Sequence, residues 1–136
     1  MLFRSYNTIL EYERLMYEHD FHLVMNLMDT YIRKINKFWS RNIKEADNRN
    51  DDDLRMRVLA DAFHMIRTAA VLMHPIAPEG TEMILDYLRL GEEFWSWDRI
   101  FEPAYSFMDK PQEHKLKFLE PRVDFFKKHP SQITRQ

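Results

Sequence analysis

Two glycines, Gly80 and Gly91, in a chain of 136 residues limit the possible folds more than any other feature. Tight hairpins and phosphate-cradling loops use glycine to reach positive φ without a Cβ clash, so this scarcity argues against an all-β fold, a P-loop and a dinucleotide-binding turn. Helices need almost none. The expectation is an all-α fold, a helical bundle of about four main helices with an aromatic, loop-rich C-terminal wrap. One domain is expected over residues 1–126, with 127–136 as a frayed tail.

The apolar spacing places those helices. In residues 3–17, Phe3, Tyr6, Ile9, Leu10 and Met16 recur at near-helical intervals, and Asp20 is a candidate N-cap for the next element. From Phe21 the apolar positions are Val24, Met25, Met28, Ile32 and Ile35, a stripe that predicts a second helix with Phe38–Trp39 at its last turn or just beyond. Residues 45–53, EADNRNDDD, contain five acids and one arginine with nothing to bury. They read as a loop whose Asp51–Asp53 end caps the third helix.

That helix follows Leu54, Val58, Ala62, Ile66, Ala69 and Met73, and its apolar end after Thr68 is expected at the centre of the bundle. His74-Pro75 stops it, because the residue before a proline is pushed out of the helical region. Pro78 opens a short fourth helix with Met83, Ile84, Tyr87 and Leu88 inward, and Gly91 is the expected C′ stop. Residues 94–108 are too aromatic for a free linker and are expected to pack across the bundle, while 116–126 bring the chain back into apolar contact.

No stretch approaches the ~20 apolar residues of a membrane span, residues 1–20 lack a signal-peptide core, and there is no cysteine. A cytoplasmic protein with no membrane partner is expected. Net charge is -2, so any nucleic-acid binding must rest on local segregation of charge. Residues 31–44, YIRKINKFWSRNIK, show such segregation: five basic residues, no acid and an aromatic pair. Cations beside a flat ring suit single-stranded nucleic acid, whose backbone is anionic and whose bases each offer a π-face. The plainer alternative is a core tryptophan beside a solvated basic face, with part of the charge complementing a helix C-terminus.

Catalytic patterns are missing. No nucleophile elbow, zinc motif or glycine loop occurs. His19 and His22 are too few to fix a metal, His64 and His74 are expected to pack or cap, and adjacent aspartates at 51–53 point in different directions. A free-standing enzyme has no candidate residues.

The order of parts adds a further reading. Tyr31-Ile32 and then Phe38-Trp39 precede a charged segment and a helix closing on LMHPIAP, followed by Glu79-Gly80-Thr81-Glu82-Met83-Ile84, Leu90-Gly91, a Trp-containing segment and Phe118-Leu119-Glu120-Pro121-Arg122-Val123. Over roughly residues 15–125 this resembles the anticodon-binding domain of class I aminoacyl-tRNA synthetases of the methionine, isoleucine, leucine and valine group, most closely the methionyl family. The resemblance implies a tRNA anticodon stem-loop as partner, with no DNA. It also implies an upstream catalytic domain outside this chain that uses ATP and Mg; no cofactor is expected in the chain itself.

By the same resemblance, Trp39 stacks on an anticodon base. Asn36, Arg41 and Asn42 are the polar groups expected at the base edge, and Arg33, Lys34, Lys37 and Lys44 the ones expected at phosphates. Phe38 stands where the methionyl pattern has proline, Asp29 where it tends to have asparagine, and no Asn-x-x-x-Arg reader occurs in the chain. An isoleucyl-, valyl- or leucyl-type anticodon domain, or a helical protein-interaction module without RNA specificity, are the alternatives.

Overall fold

The computed structural model describes residues 2–103, with side chains from Ser5 onward. Four helices follow in order: α1 (Leu2–Tyr17), α2 (Phe21–Arg49), α3 (Asp52–Met73) and α4 (Pro78–Tyr87), then two 3-10 turns at Glu92–Trp95 and Trp97–Arg99. The all-α bundle expected from glycine scarcity and helical spacing is what forms. The tail, the 116–126 segment and the part of the aromatic wrap beyond Pro103 lie outside the described residues, as do residues 118–123 of the resemblance.

Short connections make α1, α2 and α3 an antiparallel set in which α2 packs against both neighbours and α1 also reaches α3. Ile9, Tyr12 and Leu15 from α1 meet Val24, Met28, Tyr31, Ile35 and Phe38 from α2 and Val58, Ala62, Met65 and Leu72 from α3. Each large apolar side chain removed from water contributes about 1.5–3 kcal/mol before chain entropy is counted. α4 packs on α3 through a second, smaller cluster of Leu85 and Leu88 around Ala70, the close approach that a small side chain permits.

Local signals explain most ends. Asp20 accepts from the Leu23 N–H and Asp51 from the Leu54 N–H at 3.0 Å, each satisfying a donor that the first helical turn leaves open. Pro78 occupies the first turn of α4. After His74, the N–H groups of Ile76 and Ala77 bond back to Met73 O, which makes the proline corner.

Two expected boundaries are corrected. Residues 45–49 are helix, not loop: α2 runs unbroken for 29 residues and stops at Asn50, which adopts the left-handed conformation with φ of 49°. Glu45 and Arg49 form an i,i+4 ion pair, Ala46 is buried, and Asp47 accepts from Arg55 across the turn. A polar stretch is therefore held helical by local pairs and one contact. Trp39 consequently lies in the middle of α2 rather than at its last turn.

The second correction concerns α4. Arg89, at φ of 55°, is the C′ residue, with Leu90 N–H on Leu85 O and Arg89 N–H on Asp86 O. Gly91, at φ of -81°, opens the following 3-10 turn instead.

Candidate nucleic-acid interface

Helix geometry separates the candidate residues on α2. At about 100° per residue, the buried face formed by Val24, Met28, Tyr31, Ile35 and Phe38 lies on one side, and Trp39 sits on its flank. Phe38 is 7% exposed and plugs the core, whereas Trp39 is 38% exposed. The two aromatic neighbours therefore have different jobs, and the indole is neither sealed nor fully free.

Around Trp39 the structure brings together some of the expected residues and not others. Asn36 and Asn42, three positions before and after, lie on the adjacent turns, about 60° to either side of it. Asn42 Nδ2 donates to Phe38 O at 2.8 Å, so its amide is anchored to the helix beside the indole. Asn36 is exposed.

Lys37 and Arg41 point about 160° away around the helix, and Arg33, Lys34 and Lys44 about 120–140°. All five cations are exposed. Arg33 Nε donates to Asp29 at 2.9 Å, while Lys34, Lys37, Arg41 and Lys44 make no ion pair with another described residue. Arg41 therefore does not share a face with Trp39. The cations form a band along the outward side of α2, turned well away from the indole.

Trp39 also continues an exposed apolar line. Phe21, Met25, Ile32 and Trp39 are all at least 38% exposed and fall within a narrow angular strip of α2, Met25, Ile32 and Trp39 at intervals of seven.

Behind this surface sits polar chemistry that apolar spacing did not reveal. The hydroxyls of Ser5 and Tyr31 are 2.7 Å apart, and the Tyr31 hydroxyl also donates to Met65 O, joining three helices. Burial pushes the Tyr31 phenol up to about 12. Arg67, fully buried in α3, donates to the carbonyl oxygens of Arg99 and Glu102 and so holds the segment after the 3-10 turns. Burial lowers its pKa to about 10, well above neutral pH. His64, one turn earlier and 2% exposed, is pushed down to about 4, first by burial and then by the Arg67 charge. Arg67 lies just before the apolar run after Thr68 that was expected at the centre of the bundle, so no sequence pattern marked it as buried.

A second feature lies between α1, the end of α3 and the 3-10 turns. It is a groove of about 430 Å³ with Tyr12, Glu13 and Met16 on α1 and His74, Trp95 and Trp97 across from them, floored by Val71 and Pro75. Trp97 Nε1 donates to Glu13 Oε1 at 3.2 Å, and His74 Nε2 lies 3.0 Å from Glu82 Oε1. Sequence reading gave residues 94–108 a packing role, which Phe94 and the fully buried Ile100 fill, but did not anticipate the groove.

Asp51 is a cap and Asp52 pairs with Arg55, so those carboxylates have structural partners. Among the described residues no three His, Asp or Glu side chains converge as a metal group, and no helix is long and apolar enough to cross a membrane. Compared with protein-family models, curated proteins and solved structures, the chain matches none of them.

Proposed function

We propose that this bundle binds the anticodon stem-loop of a tRNA, as the anticodon-binding domain of a methionyl-type class I aminoacyl-tRNA synthetase whose catalytic part lies outside the chain. The observation that carries the reading is the part-exposed indole of Trp39, set on α2 between Asn36 and the anchored amide of Asn42, within a segment, residues 31–44, that holds five cations and no acid. The order of short motifs along the sequence supports it independently. An unpaired base stacks on the indole and its edge meets Asn36. The cations face another way, so Lys34, Lys37, Arg41 and Lys44 neutralise phosphates of the strand that runs over the outward side of α2. Anisotropy titration of a labelled anticodon stem-loop tests this: Trp39→Ala should weaken binding without lowering the unfolding temperature by more than a few degrees. Unchanged RNA affinity with a large loss of stability would make Trp39 a core residue.

The exposed line of Phe21, Met25, Ile32 and Trp39 favours a second reading, a helical module whose α2 takes an apolar partner protein. Salt separates the two. RNA binding falls steeply as counterions compete, whereas an apolar protein contact changes little.

A further inference from the structure

The groove beside α1 uses none of the side chains assigned to RNA. It contains two ring pairs, Tyr12 with Trp97 at 6.1 Å between centroids and His74 with Trp95 at 4.3 Å. An aromatic ring carries negative potential on its faces, so several rings lining one groove attract a cation. Among the described lining residues Glu13 is the only carboxylate, and no lysine or arginine lines the groove. Its orientation is fixed by the hydrogen bond from Trp97 Nε1, which leaves the second carboxylate oxygen and the negative charge beside the rings. The His74 ring is held in turn by Glu82.

We propose that this groove binds a quaternary ammonium group. The charge pattern disfavours an anion, which would meet Glu13 with no lysine or arginine among the described lining residues to compensate it. It also disfavours a primary ammonium, which needs about three acceptors to replace its water, whereas the walls offer mostly carbon and ring faces. A methylated ammonium has no N–H to satisfy and spreads its charge over methyl groups that pack against Met16, Trp95 and Trp97. The volume, about 430 Å³, falls in the range of small-ligand sites and accepts a headgroup the size of choline.

Titration of the whole chain with choline tests the proposal, followed by the indole N–H signals of its three tryptophans in nitrogen-correlated NMR spectra. The control ligand is 3,3-dimethylbutan-1-ol, the neutral carbon analogue of choline. Choline should give saturable shifts at Trp95 and Trp97 with Trp39 unmoved, and the neutral analogue should bind at least about fivefold more weakly. Because Glu13 is exposed, Glu13→Gln should fold normally and lower choline affinity several-fold while leaving the neutral analogue unaffected. Equal affinity for the two ligands, no saturable response to choline, or wild-type choline affinity in the Glu13→Gln protein would each overturn the assignment.

Discussion

The hydroxyls of Ser5 and Tyr31 meet 2.7 Å apart in the interior, and the same phenol reaches Met65 O, so one side chain with two polar contacts registers α1, α2 and α3 against one another. Tyr31→Phe should cost about 1–2 kcal/mol, because it strands the buried Ser5 hydroxyl as well as losing a bond. Denaturant unfolding of Tyr31→Phe, Ser5→Ala and the double variant checks this. The double variant should be more stable than the sum of the single losses implies, since it leaves neither partner stranded.

Acid should destabilise the protein through His64. Its folded value of about 4 lies below its ordinary 6.5, so between those values the unfolded chain binds a proton that the folded chain refuses. Stability from this residue is intact above pH 6.5 and is lost progressively as pH falls toward 4, by up to about 3 kcal/mol. Thermal unfolding across that window should show the slope, and His64→Leu should flatten it. An unchanged slope in that variant would locate the acid sensitivity elsewhere.

Arg89 offers a stabilising change. It ends α4 at φ of 55°, a conformation that crowds any Cβ. Arg89→Gly should raise stability by about 1 kcal/mol, read as a higher denaturant midpoint with unchanged slope.

For RNA, two variants should behave differently. Trp39→Ala removes a stack worth about 1–3 kcal/mol and should leave the salt dependence of binding intact. Lys37→Gln with Arg41→Gln should instead weaken binding to all sequences and reduce the slope of log affinity against log salt by about 2. Binding isotherms with an anticodon stem-loop at several salt concentrations distinguish these patterns.

The helices were legible because their apolar residues repeat with the helical period and their starts carry side-chain caps at Asp20 and Asp51. The ends were less so. Residues 45–49 look like loop by composition, and what keeps them helical is the pairing of Glu45 with Arg49 and of Asp47 with Arg55 in the next helix. Arg89 in a position that favours glycine leaves no compositional mark at all. The candidate surface was readable as a list of residues, but the apparent clustering of Trp39 with five cations depended on a helix ending there. Once α2 continues, rotation about its axis moves the cations to another side. Arg67 and the Trp97–Glu13 contact depend on distant segments meeting, which no local pattern announces.

Length mismatch between neighbours sets up a mechanical gradient. With 29 residues α2 is about 43 Å long, whereas α1 has 16 and places Ser5, near its start, opposite Tyr31. Past Phe38 the α2–α3 pair overhangs α1, and among the described residues Ala46 and Val58 are the fully covered apolar side chains of that overhang. Such a projecting tip exchanges its amide hydrogens sooner than the three-layered base. Trp39 stands at the root of that overhang, so a molecule gripping the indole would act as a splint, and its arrival would be felt as slowed exchange out to Asn50, well beyond anything it touches.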